Sequence, residues 1–254
     1  TFWAEAVESE NMPLKFPVLT RGRFGLDFYK ATGQKAFLAH GRSELHQQLT
    51  LIQKMFSIEK TLTQELIPDD GTNKTISFAA FCVDGEIKAY WMGEKLREHP
   101  IRFGTATFAR SMYAEPCLTQ SVKLLKALNY SGVCEVEYLK DPVDGKYKLI
   151  EINARTWLWV GLAIECGINF PLYIYNYVNN IKMTYPVIYE GNLHWRNFWT
   201  DWIYSMKYIL KGQLRYSRYC QSLKIKIVYA VKSASDPAPF RKILILLFLR
   251  SLGR

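Results

Sequence analysis

The 254-residue sequence lacks most of the patterns that announce a chemistry at once. Its five cysteines, Cys82, Cys117, Cys134, Cys166 and Cys220, are odd in number, scattered and never in CxxC spacing. That excludes a disulfide framework and a cysteine zinc site, and it fits a reducing compartment. The histidines His40, His46, His99 and His194 stand apart, with no HExxH, so each reads as surface or structural. No Walker or dinucleotide glycine spacing occurs, nor any nucleic-acid motif or internal repeat. The longest unbroken apolar run, Ile243 to Leu249, is too short to span a bilayer. No secretory leader opens the chain, so a cytoplasmic location is expected. The sequence starts at Thr1 without a methionine, which reads as a fragment or as a chain missing its first domain.

What is present is a packed protein. Apolar residues make up 49% and aromatics 15%, enough for one large or two small domains and too much for disorder. Charge is unevenly placed. Residues 194–254 hold twelve Lys or Arg against Asp201 and Asp236, so this stretch carries the whole chain's net +10 and residues 1–193 balance at zero.

The most informative stretch is Cys134-Glu-Val-Glu-Tyr-Leu-Lys-Asp141 followed by Tyr147-Lys-Leu-Ile-Glu-Ile-Asn-Ala-Arg155. Two alternating runs around Asp144-Gly145 read as a β-hairpin. Side chains two apart share a strand face. Glu135 and Glu137 therefore point one way, and Glu151, Asn153 and Arg155 line one face of the second strand. Pairing brings Glu137 beside Glu151 and Asn153. Two carboxylates and an amide oxygen form a hard oxygen site of the kind Mg²⁺ takes. Arg155 adds a planar fork for phosphate or carboxylate. A solvated strand face is the plain alternative and suffices for either first-strand glutamate alone. It is weaker for the set, because an apolar helix from Trp157 to Cys166 follows directly. Cys134 alternates to the opposite face and reads as a core thiol.

Upstream, Phe16 to Arg21 is a short strand, and Gly22, Gly25 and Gly33 punctuate a basic loop. Lys35 to Ala39 is a strand, Ser43 can cap a helix carrying Leu45, Leu49 and Ile52, and Lys60 to Pro68 is a strand stopped by proline. Asp84-Gly85 joins runs 75–83 and 86–92 as a hairpin. Cys117 to Leu128 is an amphipathic helix.

In this order the chain resembles an ATP-grasp ligase, closest to the carboxylate–amine ligase branch with D-aspartate ligases and the carbamoyl phosphate synthase large subunit. The likeness covers about residues 13–180. It rests on Gly132-Val-Cys-Glu-Val-Glu-Tyr-Leu-Lys-Asp141 with Leu149-Ile-Glu-Ile-Asn-Ala-Arg155, supported by Phe16-Pro-Val-Leu, Gln64-Glu-Leu-Ile-Pro68 and Lys95-Leu-Arg97…Pro100…Gly104. The resemblance implies an α+β fold of two lobes with ATP between antiparallel sheets. It implies a smaller lobe over about 13–92, a metal-binding lobe over 93–193, and beyond them the basic helical region 194–254. It implies Mg²⁺, with Mn²⁺ as a substitute, on Glu137, Glu151 and Asn153. Lys35 would contact the ATP phosphate or the adenine edge. Glu65 would accept the adenine amino group, with Leu66 and Ile67 flanking the base and Asp69 or Asp70 on the ribose. Lys95 and Arg97 would face the transferring phosphate and Arg155 the acyl phosphate. Arg21 stands where the family normally has a lysine, keeping the charge with a bulkier, forked group. The family's N-terminal substrate domain is absent, so this stretch is expected to bind nucleotide even where it turns nothing over.

In the tail, Trp195, Trp199, Trp202, Met206, Ile209 and Leu210 recur at helical spacing, with Arg196, Lys207 and Lys211 on the other face. Packing on the lobes and contact with an anionic membrane surface are the two readings, at even weight. The last helix, Phe240 to Arg250, is apolar nearly all round. Nucleic acid ranks third, and a homo-oligomer is left open. The expected function is ATP- and Mg²⁺-dependent joining of a small carboxylate to an amine through an acyl phosphate. ATP-dependent carboxylation or phosphorylation comes next, and a non-catalytic ATP-binding scaffold derived from such a ligase is the alternative outside enzymes.

Overall fold

The structure, a computed structural model, describes residues 2–3, 14–68, 74–101, 104–186 and 188–251. The chain divides into two compact units, Thr1–Asp69 and Asp70–Arg254.

In the first unit β1 (Phe2–Trp3), β2 (Val18–Gly22), β3 (Phe37–Ala39) and β4 (Thr61–Glu65) form an antiparallel sheet in the order β1-β4-β2-β3. Helices α1 (Gly25–Thr32) and α2 (Arg42–Gln53) accompany it. Val18, Ala39, Leu45 and Leu49 make one small core, and Phe28, Phe37 and Ile52 another. The glycine-punctuated stretch is therefore not an open loop. Gly25 begins α1, and Gly33 at φ 72 closes it in the left-handed conformation that suits glycine. Helix α2 starts one residue before Ser43, with Gly41 at its N-cap and no side-chain cap.

The second unit is built on a seven-stranded sheet. Its strands are β5 (Thr75–Val83), β6 (Glu86–His99), β7 (Thr105–Ser111), β8 (Gly132–Lys140), β9 (Tyr147–Asn153), β10 (His194–Arg196) and β11 (Ile227–Tyr229), in the order β11-β10-β7-β6-β5-β8-β9. All neighbours are antiparallel except β10 and β11. The β5–β6 turn is the expected one, with Asp84 at φ 51 and Gly85 at φ 78. Helices α3 (Glu115–Ala127), α4 (Val160–Glu165), α5 (Phe170–Val178), α6 (Phe198–Leu210), α7 (Tyr216–Ser222) and α8 (Ala238–Ser251) complete it. One sheet face carries Ala79, Phe81, Trp91, Trp157 and Trp159; the other carries Phe78, Met92, Cys134, Val136 and Tyr138. This split follows from strand alternation.

The expected boundaries are corrected at two places. The lobes do not part near residue 92. Strands β5 and β6 hydrogen-bond β8 and β7, so residues 74–92 belong with the acidic hairpin and the division falls at Asp69. Nor does residue 194 begin a separate helical region, because β10 pairs with β7 and buries Trp195. Trp195 is thus a strand residue of the core, not part of a tail helix.

Candidate active site

The hairpin is β8–β9, and its register places Glu137 opposite Glu151 and Glu135 opposite Asn153. Ser77 of β5 lies opposite both Glu137 and Gly93, so all of these share one sheet face. Lys95, two residues along β6 from Gly93, reaches across β5. Its Nζ donates to Glu137 Oε1 at 2.8 Å, and both side chains are about nine-tenths buried. A small residue at 77 and none at 93 leave room for this crossing. Gly93 is required by its neighbours, since a Cβ there would stand 2.2 Å from the Trp91 ring and 2.5 Å from Trp159.

Asn153 ties the acids together. Its Nδ2 donates to Glu135 Oε2 at 3.3 Å and to Glu151 Oε1 at 3.2 Å, while its Oδ1 accepts from Arg155 Nη2 at 3.4 Å. Arg155 also donates to the Thr156 carbonyl at 3.0 Å and is otherwise exposed. Glu135 is only 2% exposed, and its Oε1 accepts no hydrogen bond among the described residues. Burial, then the neighbouring Glu137 charge, pushes its carboxyl up to about 7, with Lys95 opposing. Burial pulls the Lys95 ammonium down. The attraction of Glu137 and the hydrogen bond to it outweigh that and leave it above its ordinary value, so it stays charged. The Cys134 thiol is pushed up by its hydrogen bond with Cys82 and by burial, which suits an inert core thiol.

Arg97 is not part of this cluster. Between Lys95 and Arg97 the β6–β7 register slips, so that Lys95 pairs with Ala109 and Arg97 with Phe108. Adjacent residues of β7 face opposite sides, so the bulge turns Arg97 to the face away from Lys95. There its fork grips Asp201 of α6, with Nε to Oδ1 and Nη2 to Oδ2 both at 2.7 Å. The expectation that Arg97 faces the transferring phosphate is overturned by this offset.

Arg21, Lys35, Glu65, Leu66 and Ile67 lie in the first unit. Arg21 is on β2 opposite Leu62 and half-buried. Lys35 is exposed in the loop before β3. Glu65 ends β4, and its Oε1 accepts from the Lys15 backbone N–H at 2.9 Å. Leu66 and Ile67 follow, half-buried, with Leu66 N–H bonded to the Pro17 carbonyl at 3.0 Å. Asp69 and Asp70 lie outside the described residues.

Residues 30–164 match the family model described as the carbamoyl-phosphate synthase L chain, ATP binding domain. The chain belongs to this family. The family match runs from the last turn of α1 almost to the end of α4, and takes in the whole acidic hairpin. D-aspartate ligase of Enterococcus faecium (strain Aus0004) is 26% identical over 151 residues, 58% of this chain and 36% of that protein. The chain thus spans about a third of the length of that relative. Among solved structures, the biotin carboxylase–β,γ-ATP complex of Campylobacter jejuni matches with a TM-score of 0.54 at 15% identity, covering 71% of this chain and 41% of the other. The biotin carboxylase domain of Hydrogenobacter thermophilus 2-oxoglutarate carboxylase, in complex with MgADP and bicarbonate, matches at 0.53 and 15% over 71% and 40%. At this identity the likeness is one of fold, and the fold is ATP-grasp.

Among the described residues no group of three or more His, Cys, Asp or Glu is arranged to hold a metal. The set here is two carboxylates facing each other in register and one amide, all oxygen donors, with an unpartnered buried carboxylate oxygen beside them. That chemistry suits Mg²⁺, which takes few protein oxygens and shares its remaining places with phosphate and water. Asn153 now turns its nitrogen to the acids, and a half-turn of the amide presents its oxygen instead.

Proposed function

We propose that this chain carries the phosphoryl-transfer half of an ATP-dependent carboxylate–amine ligase. The observation behind the reading is the buried Lys95–Glu137 pair, 2.8 Å apart, set among Glu135, Glu151 and Asn153 on one sheet face, with Arg155 in the bend after β9 on Asn153 Oδ1. Phosphoryl transfer needs little covalent help from protein. It needs cations and donors fixed where charge develops. Glu137, Glu151 and Asn153 would hold Mg²⁺, which when bound neutralises phosphate oxygens. Lys95 stays an ammonium through its pairing with Glu137 and supplies a fixed positive charge beside them. Arg155, exposed and held through Nη1 to the Thr156 carbonyl and Nη2 to Asn153 Oδ1, keeps further N–H groups to offer to an acyl phosphate or carboxylate. Lys35, Glu65, Leu66 and Ile67 are assigned to nucleotide, and Arg21 supplies charge in place of lysine.

In the reaction a carboxylate oxygen attacks the γ-phosphorus and ADP leaves. An amine then attacks the acyl carbon, inorganic phosphate leaves, and the amine's proton is released. The D-aspartate ligase relative supports the amide-forming branch over carboxylation.

Isothermal titration of the chain with Mg-ATP tests the reading, together with phosphate release in a pool of L- and D-amino acids. Wild type is expected to bind. Glu151→Ala and Lys95→Met are expected to weaken metal-dependent binding by about tenfold or more, since each removes a charged partner worth roughly 1.5–3 kcal/mol. Undiminished binding in both variants refutes the site. Binding without phosphate release across the pool leaves the scaffold reading.

For residues 194–254 we infer contact with an anionic membrane surface. Helix α6 turns Asp201 and Ser205 inward, while Trp202 and Leu210 are 48% and 88% exposed beside exposed Lys207 and Lys211. Apolar and basic side chains sharing an outer face suit a headgroup layer. Among the described residues no helix is long and apolar enough to cross a membrane.

A further inference from the structure

Arg97 and its partners form a polar cluster that neither the ligase reading nor the family match uses. Asp201 is fully buried, receives the bidentate fork of Arg97 and the Thr107 hydroxyl at 3.2 Å, and forms an ion pair with Arg196, whose Nε lies 3.1 Å from Oδ2. Arg196 Nη2 donates to the Ser222 carbonyl at 2.8 Å and hydroxyl oxygen at 3.0 Å, and Arg97 Nη2 reaches the same hydroxyl at 3.2 Å. Both guanidinium groups lie over the Phe108 ring, at 4.2 and 4.8 Å. This is a lock between the sheet and helices α6 and α7.

The lock sits on an irregularity that decides where Lys95 points. Either side of it the ladder is regular, with Glu94 opposite Arg110 and Glu98 opposite Ala106. Between them, Leu96 on β6 and Thr107 on β7 have no partner across the ladder, and Arg97 faces Phe108. Each strand carries one extra residue. Both are anchored to the start of α6: Thr107 through its hydroxyl on Asp201 and its carbonyl accepting the Asn197 N–H at 3.0 Å, and β6 through Arg97. An unbroken ladder would pair Arg97 with Thr107 and return it to the face of Lys95. A second, longer cation would then stand beside the same carboxylates. Leaving that arrangement unfavourable requires a strong partner for Arg97 on the far face. Breaking a buried pair of this kind leaves an uncompensated charge out of water, a cost large enough to decide a local register.

We propose that Asp201 is a positioning residue for Lys95, holding Arg97 on one face of β6 so that Lys95 stays against Glu137 on the other. The proposal rests on the reading of the acidic cluster as the phosphoryl-transfer site. It makes the stretch after β10 part of the catalytic unit, and it gives one of only two acids in residues 194–254 a reason to be buried inside a basic region.

The test uses two variants of the full chain. Asp201→Asn leaves two guanidiniums around a neutral amide. The triple variant R97M/R196M/D201L replaces all three charges with apolar groups of similar size, an exchange that often restores stability. With Mg-ATP and the amino-acid pool, D201N is expected to lower kcat roughly 10- to 100-fold, the usual effect of misplacing a catalytic group by about an ångström. The KM for ATP is expected to change little. The crystal structure of D201N is expected to show Lys95 Nζ withdrawn from Glu137. The triple variant has no guanidinium at position 97 to swing back and an apolar pair to hold the register, so it is expected to recover both Tm and kcat. D201N with wild-type kcat or with the Lys95–Glu137 contact intact, or a stable triple variant as slow as D201N, overturns the proposal. Absence of turnover in the wild type removes the ligase reading instead, and the crystallographic comparison still decides the role of Asp201.

Discussion

Glu135 is the acid whose environment is furthest from water. It is 2% exposed, lies beside a second carboxylate, and keeps its proton up to about pH 7. An acid whose pKa is raised by folding stabilises the fold below its unfolded value. The unfolded chain loses this proton near pH 4.5 and the folded chain only near 7, so stability should fall as pH rises through that window. The shift corresponds to a loss on the order of 3 kcal/mol. Chemical denaturation at a series of pH values measures it, and Glu135→Gln is expected to flatten the profile between 4.5 and 7. An unchanged slope in that variant assigns the pH dependence to other groups. Lys95 works in the opposite sense, since its raised pKa keeps it charged across the same range and preserves its hold on Glu137.

At the scale of elements, β6 does the most. It carries Trp91 and Gly93 on the face where Trp157 and Trp159 dock, with ring centroids 5.9 and 5.2 Å from Trp91. The segment after β9 reaches the sheet through these rings, and with it comes Arg155. Gly93→Ala would force a Cβ into both indoles. It is expected to destabilise by about 3 kcal/mol, the upper end of ordinary overpacking. Calorimetric unfolding should show a Tm lower by roughly 6–12 °C for a chain of this size. A near-native Tm would mean that the tryptophans repack freely. Much at this scale was legible from residues alone. Alternation in 134–140 and 147–153 placed Glu137 against Glu151 and sent Cys134 to the core, because a strand has only two faces. Asp84-Gly85 gave its hairpin because both positions need positive φ. The offset at Leu96 was not legible, since an extra residue leaves no mark in a pattern of mostly buried side chains. It is held by Asp201, 48 positions beyond Asn153 at the end of β9 and outside the matched residues 30–164. A single acid amid the aromatics of α6 was the available signal, and helical periodicity hid it by drawing the eye to the tryptophans.

Across the whole molecule, charge and chemistry are kept apart. The acidic cluster belongs to a stretch that is neutral overall, and the entire net +10 lies in residues 194–254. Co-sedimentation with vesicles of phosphatidylglycerol is therefore expected at low salt and should weaken steeply by 0.5 M salt, where screening lengths fall to a few ångströms. Charge reversal at the exposed Lys207, Lys211, Lys224 and Lys226 should abolish it while Mg-ATP binding stays as in the wild type. Equal binding to neutral phosphatidylcholine, or preference for nucleic acid over vesicles, removes the membrane reading. The division at Asp69 moved a boundary that the family resemblance had put near residue 92, and the entry of β10 into the larger sheet moved one that charge had put at 194, because hydrogen-bonded neighbours need not be alike in charge.

The compensated offset between β6 and β7 also has a bearing on how relatives can differ in length. Each strand contributes one surplus residue, and beyond the pair the two fall back into step at Glu98 and Ala106. Losing Leu96 alone would throw the far end of the hairpin out of phase, as would losing Thr107 alone. Deletions at these two places should therefore occur together, one on each side, and a lineage that has shed both should no longer need Asp201 to hold the register.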